Sequence, residues 1–285
     1  MIILILVLVT FLVLGFLSNN HKEVKRTISL VQKQEELETE FISEGYTIDQ
    51  PNVILNPYEI SPLTALVIFE TEEEVAPTVT IVGKDKLSTF THEFESGTVH
   101  YLPIYGLYAD YENQIIIEYG SVSKTITIKT EALPDDFILP TSVHTKKSEL
   151  SNDLYFFTPS SSGYTCCYDV NGDVRWYLTN YALWEINRLD NGHLMVSTER
   201  LVNSPYYMSG LYEMDLLGKI YKEISLEGGY HHDYFEMPNG NLLVASNEFY
   251  NDSGTVEDVV VEIDIHTGKV VKTFDLKNIL NSKTS

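Results

Sequence analysis

Three segments in the second half of the chain are written to one design, and no other feature restricts the fold as much. Tyr168-Asp-Val-Asn-Gly-Asp-Val-Arg-Trp176, Tyr212-Glu-Met-Asp-Leu-Leu-Gly-Lys-Ile220 and Glu262-Ile-Asp-Ile-His-Thr-Gly-Lys-Val270 each run strand, Asp, Gly turn, returning strand. Their leading aspartates, Asp169, Asp215 and Asp264, stand 46 and 49 residues apart. A second element falls between them, as Arg188-Leu-Asp-Asn-Gly-His-Leu-Met-Val196 and Glu236-Met-Pro-Asn-Gly-Asn-Leu-Leu-Val244. Asn-Gly favours a tight hairpin because both positions tolerate positive φ. A period of this length belongs to a four-stranded β-propeller blade, a unit that buries its apolar faces only against its neighbours. Two full repeats and half of a third precede Ser285, whereas about four to eight blades close a ring. The expectation over 131–285 is therefore an incomplete β-propeller, the opening part of a truncated product or fragment.

The first half carries a different pattern. Leu63–Phe69, Thr78–Val82, His100–Tyr105, Gln114–Tyr119 and Lys124–Lys129 are short runs rich in β-branched and aromatic residues, separated by turn formers and acidic stretches. They predict a small β-sandwich over 51–130, with Glu131–Asp136 as linker. The fold class is all-β. Ahead of it, 21–50 is rich in Glu, Gln, Lys and Leu and reads as a solvated helical stalk. Ile2 to Leu17 is an almost unbroken apolar run without charge. It is near the lower limit for spanning a bilayer, so 1–20 reads as a signal peptide or transmembrane anchor, and the absence of a small-x-small cleavage site favours a retained anchor. Lys22, Lys25 and Arg26 follow the run and none precedes it, which by charge alone places the remainder in the cytoplasm.

Nineteen basic against 41 acidic residues leave a formal charge of -22. Such a surface disfavours nucleic acid or an anionic membrane surface as the main partner. The only cysteines, Cys166 and Cys167, are adjacent. Neighbours in a strand point to opposite faces, so free, partly buried thiols are expected rather than a strained disulfide.

Chemistry concentrates in Tyr230-His-His-Asp-Tyr234. Aligning the two Asn-Gly turns sets Asn191 over Asn239, a shift of 48, which carries Trp184 onto His232 and Glu185 onto Asp233. If the strand they precede is innermost, Trp184 and His232 are neighbours at the central channel, where propellers hold ligands. Histidine exchanges protons near neutral pH or acts as a nucleophile, and an adjacent carboxylate orients it. The plainer reading is that one of His231 and His232 packs while the other faces solvent. A zinc site is disfavoured, because neighbouring histidines diverge and no Cys or third His lies nearby. Asp169–Asp173 begins like a calcium loop but lacks the distal Glu, which favours a structural hairpin. His92, His100, His144 and His193 are isolated and assigned to packing or solvent. No Gly-rich phosphate loop and no Gly-x-Ser-x-Gly elbow is present.

Taken together, Asn56–Leu66, Val82-Gly-Lys-Asp85, His100–Tyr108, Trp184–Gly192, His231-His-Asp233, Met237–Leu242 and Phe274–Leu280 resemble bacterial aryl-sulfate sulfotransferases of the phenolic sulfate ester type. The resemblance implies an exported protein, a six-bladed propeller behind an N-terminal β-sandwich, and localisation at the cell membrane with the bulk extracytoplasmic. It implies ping-pong transfer of a sulfuryl group from a phenolic sulfate donor to a phenol acceptor through a histidine intermediate, with no cofactor. A homo-oligomer is left open. The family's first channel histidine falls on His231–Asp233, with His232 favoured and Trp184, Asp233 and Glu185 as substrate-binding neighbours. The family's nucleophilic histidine follows beyond Leu280, so the 285 residues are expected to be inactive. A cell-surface propeller that binds without catalysis is the alternative.

Overall fold

The computed structural model describes residues 33–159, 163–203, 207–247 and 259–281. The chain divides between Ile42 and Ser43. In the first unit residues 33–38 are helical, part of the expected stalk. The apolar run at 2–17 and the start of that stalk lie outside the described residues. In the second unit residues 43–50 form turns and isolated bridges rather than helix. Ser43 Oγ donates to the Glu70 carboxylate at 2.9 Å, and the Glu70 N–H donates to the Tyr46 carbonyl at 2.9 Å. A strand edge supplies the hydrogen bonds that helix would otherwise have provided.

Period-two alternation builds the next seven strands. They are β1 (Asn52–Leu55), β2 (Ala65–Val75), β3 (Thr78–Ile81), β4 (Phe90–Glu93), β5 (Gly97–Ile104), β6 (Glu112–Tyr119) and β7 (Val122–Lys129). In β6 the residues Asn113, Ile115 and Ile117 face inward while Gln114, Ile116 and Glu118 face out. Two antiparallel sheets result, ordered β1-β2-β5 and β4-β3-β6-β7. Val67, Phe69, Leu102 and Ile104 of the first share one core with Val79, Ile81, Ile115 and Ile117 of the second. Each such side chain taken from water contributes about 1.5–3 kcal/mol.

Among the described residues twelve strands follow, all antiparallel. They are β8 (Tyr155–Phe157), β9 (Cys166–Tyr168), β10 (Val174–Tyr177), β11 (Asn187–Arg188), β12 (Leu194–Ser197), β13 (Leu201–Asn203), β14 (Tyr207–Met214), β15 (Ile220–Tyr230), β16 (Tyr234–Glu236), β17 (Leu242–Ser246), β18 (Val259–Asp264) and β19 (Lys269–Asp275). They make three sheets, β10-β9-β8, then β11-β12-β14 with β13 and β15 both on β14, then β16-β17-β18-β19. The three repeated motifs are the hairpins β9–β10, β14–β15 and β18–β19. In each, the leading Asp closes the turn with its own carboxylate, accepting at Oδ1 from Asn171 and Asp173, from Gly218 and Lys219, or from His266 and Thr267. The Asn-Gly turns differ from expectation. Gly192 (φ 87°) and Gly240 (φ 80°) alone take the left-handed conformation, and each Asn uses its side chain to accept the N–H two residues on.

Cores alternate with sheets along the chain. Cys166 joins the core of β1–β7, whereas Cys167 and Trp176 on the other face of their sheet pack with Leu194, Val196, Tyr212 and Met214 of the next. Met195, Leu211 and Ile224 of that sheet in turn pack with Leu242, Val244, Val261 and Ile263 of the last. Arg175 pins the first of these sheets to β1–β7. Fully buried, it donates to Asp169 at 2.8 Å, to the carbonyls of Gly106 and Ser88 at 2.7 and 3.0 Å, and to the Tyr108 hydroxyl at 2.9 Å.

Candidate functional site

β11 and β16 are the first strands of their sheets, and each is entered through a bend. The bend residues are Trp184 and His232, both with non-glycine left-handed backbone, φ 70° and 62°. Holding an ordinary residue there costs on the order of 1–3 kcal/mol, which the surrounding structure must overcome. Here it does so by knitting the bends together. The Glu185 N–H donates across to the His232 carbonyl at 3.3 Å, while within its own bend the Asp233 N–H donates to the His231 carbonyl at 2.8 Å. The Trp184 and His232 rings meet with centroids 4.1 Å apart and planes inclined by 49°.

Two tyrosines set the frame beneath them. Tyr230 donates to the His232 carbonyl at 3.3 Å. Tyr234 donates to the Met195 carbonyl and accepts the Asn187 N–H, each at 2.8 Å, so one hydroxyl bridges the two sheets. Burial pushes both phenols well above the ordinary tyrosine range, and nearby negative charge at Glu185 and Asp233 adds to it. They are therefore neutral, structural hydroxyls.

The two histidines divide. His231 is buried, edge-on to the Tyr207 ring at 5.0 Å, with Nε2 at 3.1 Å from the Ser246 carbonyl. A carbonyl only accepts, so Nε2 carries the proton. His232 is exposed, with its ring 5.3 Å from that of His231. The Asp233 side chain beside it, with burial, holds the Glu185 carboxyl above its usual range, against a weaker pull from the Asn187 side chain. Sequence reasoning named Trp184, Glu185, His231, His232 and Asp233. It gave no role to Tyr230 and Tyr234, which only bounded its segment, and none to Asn187, whose bond to Tyr234 joins positions unrelated by the repeat.

Elsewhere the expectations meet particular partners. Asp169 spends its carboxylate on Arg175, on two turn N–H groups and on the Tyr108 hydroxyl, so its loop is a hairpin closed by its own side chain. Among the described residues no group of three or more His, Cys, Asp or Glu is arranged to hold a metal. Cys166 and Cys167 are free and buried, and burial pushes both thiols up. His100 packs on Phe69 at 4.7 Å, and burial lowers its basicity. His193 is not isolated, because Nδ1 lies 2.8 Å from Glu213 and its ring stacks on Tyr221.

A family model described as arylsulfotransferase (ASST) matches residues 140–285, and one described as the arylsulfotransferase Ig-like domain matches residues 52–132. The chain belongs to the arylsulfotransferase family. Arylsulfate sulfotransferase AssT of Escherichia coli O6:H1 is 25% identical over 296 residues, covering 81% of this chain and 49% of that protein. The protein of the same description from Lelliottia amnigena is 24% identical over 309 residues, covering 84% and 52%. This arylsulfotransferase chain thus spans about half the length of those relatives. The Trp184–His232 contact lies inside the matched region. A cleft of about 940 Å³ falls between residues 137 and 172, walled by Phe137, Tyr155, Phe157, Tyr164 and Cys166, but none of Trp184, Glu185, His231, His232 and Asp233 lines it. The cleft has an imidazole and carboxyls of its own at His144, Glu149 and Asp169, but Asp169 is spent on Arg175 and no two of its residues are related by the repeat, so the bends at Trp184 and His232 are the better site.

Proposed function

We propose that this chain is the N-terminal portion of an extracytoplasmic aryl-sulfate sulfotransferase, moving a sulfuryl group from a phenolic sulfate ester to a phenol through a histidine intermediate. Membership of the family supports sulfuryl transfer, and the observation that carries the assignment to residues is the Trp184–His232 contact. In this reading β11 and β16 are inner strands of adjacent propeller blades and the two rings line the channel. The aryl group lies on Trp184. His232 holds the sulfuryl oxygens, where an imidazole N–H meets charge that grows in the transition state. His231, already committed to Ser246, sets the bend that presents His232. Residues 51–130 serve as the sandwich that carries the blades, 131–285 as the first blades, and 1–20 with the helical segment behind it as the tether to the membrane.

The test is transfer from 4-nitrophenyl sulfate to phenol by the chain extended through the downstream reading frame, with and without His232→Ala. Contact with the reacting sulfate predicts a fall in kcat/KM of about 10²-fold or more, for an oxyanion contact of ordinary strength, with unchanged urea midpoint. Unchanged turnover removes His232 from the site. Saturable binding of the ester with no transfer moves the assignment to a surface protein that binds without catalysis.

A further inference from the structure

The sheets of β8–β10, β11–β15 and β16–β19 stack in that order, and the repeat makes the second contact a copy of the first. Leu194, Val196, Tyr212 and Met214 of the middle sheet pack against the sheet before it. Leu242, Val244, Val261 and Ile263 of the last sheet do the same, and they stand where shifts of 48 and 49 residues carry those four. Each sheet therefore has a back that receives the preceding sheet and a front that fits the following one. Two such surfaces lack a neighbour of this kind among the described residues. One is the front of the last sheet, where Phe235, Leu243, Ala245 and Val260 share a face with the cross-strand pair Glu262 and Lys272. Leu243 and Val260 occupy the places of Met195 and Leu211, which are fully buried, yet they are only half-buried, and Phe235 is 62% exposed. The other is the back of the β8–β10 sheet. Cys166 and Tyr168, 46 residues before Tyr212 and Met214, wall the cleft with Tyr155 and Phe157. The core of β1–β7 covers part of that face, but Phe157 in the cleft is 55% exposed.

We propose that the front of the last sheet docks in the cleft of a second copy of this chain, against the back of that copy's β8–β10 sheet, so that two chains close one ring of six sheets head to tail. This rests on the propeller reading given above. Three sheets fall short of the about four to eight that close a ring, and six lie within that range. The contact is of the kind the chain already makes twice, an apolar front against an apolar back. Front meets back, so the interface is heterologous, and it closes after two copies when three sheets sweep half a circle. The chain spans about half the length of its matched relatives, and two copies restore that length. Closure also completes the site. With β11 and β16 innermost, Trp184 and His232 line one wall of a channel, and the second copy supplies the facing wall with its own such pair. A single chain leaves that channel open on one side.

The test is sedimentation equilibrium of the whole chain in density-matched detergent. The mass of two chains is expected. Phe235→Glu on the front and Phe157→Glu in the cleft, both at side chains more than half exposed, should each give single chains with unchanged near-UV circular dichroism. Single chains of the wild type at every concentration overturn the proposal. So does a pair that survives either variant, because two fronts, two clefts or two N-terminal segments joined together would be indifferent to at least one of them. A mass that keeps growing with concentration shows an open filament and overturns closure. A second measurement needs no variant: alkylation of Cys166, which walls the cleft, should slow as rising concentration forms the pair, and an unchanged rate overturns the docking. Neither measurement reads turnover, so the two readings fail separately. Single chains beside an active extended chain remove the ring and leave the transferase, while pairs beside an inactive extended chain keep the ring and remove the transferase.

Discussion

Arg175 is a charge taken wholly out of water, and its setting decides what its loss would do. Asp169 neutralises it, two carbonyls and a hydroxyl take its protons, and the rings of Tyr108 and Phe90 lie 3.8 and 4.8 Å from the guanidinium carbon. Removing one partner strands the other. Asp169→Asn, or Arg175→Met, should each lower stability by about 3–5 kcal/mol, read as a shift of urea midpoint. The double replacement should cost much less than the two losses added, and additivity would mean that the pair is not coupled. None of this was legible in the sequence. Asp169 announced itself as a turn residue, but Gly106 and Tyr108 lie 69 and 67 residues from Arg175, and no local pattern encodes a partner at that distance. Trp184 and His232 could be paired in advance because a repeat relates them.

Hairpins show how much of an element the sequence specifies. Each Asn-Gly turn is tied to a neighbouring strand: Asn191 and His193 of one turn reach Glu213 on β14, and Asn241 of the other reaches Glu262 on β18. Burial works against the Glu213 carboxylate, but the bonds from His193 and Asn191 and the charge of Lys222 overcome it and leave its pKa below the ordinary 4.5. A carboxyl depressed in the fold contributes stability that is complete above the unfolded value and disappears as pH falls through the folded one. Thermal stability should therefore decline below pH 4.5 with a share due to Glu213, and Glu213→Gln should flatten that decline. An identical acid limb in the variant would show the tie to be inert. Glycines separate turn from register. A Cβ at Gly240 meets nothing within 4 Å and suffers only its φ of 80°, whereas one at Gly210 lies 1.9 Å from the Ile224 carbonyl oxygen, where β14 and β15 shift register. Gly240→Ala should cost about 1–2 kcal/mol, while Gly210→Ala should cost more and broaden backbone hydrogen exchange along β14–β15. Asn-Gly and Asp-x-x-Gly made the turns readable; a glycine demanded by a strand crossing close behind it leaves no such mark.

At the scale of the whole chain, the all-β class follows from composition and period, because strands of this length alternate visibly. The hairpins β9–β10, β14–β15 and β18–β19 followed from the repeat. The packing of β1–β7 onto the later sheets did not, since it rests on scattered contacts: Ser61 to the Leu216 carbonyl, the Thr179 N–H to Ile60, and Arg175. A chain beginning at residue 140 leaves Arg175 without Ser88, Gly106 and Tyr108. It should lose near-UV circular dichroism under conditions where residues 43–285 retain it, and equal urea midpoints for the two would show the N-terminal sheets to be dispensable.

The adjacent thiols offer a last consequence. Cys166 and Cys167 are consecutive in sequence, yet each faces a different seam of the molecule. Cys166 walls the cleft beside Tyr164, so an alkylating reagent that enters the cleft approaches it in the folded chain, whereas Cys167 is reached only when the neighbouring sheets part. With mass spectrometry to distinguish the two sites, the chain carries a pair of built-in clocks one peptide bond apart. One times access to the cleft, the other the opening of the fold.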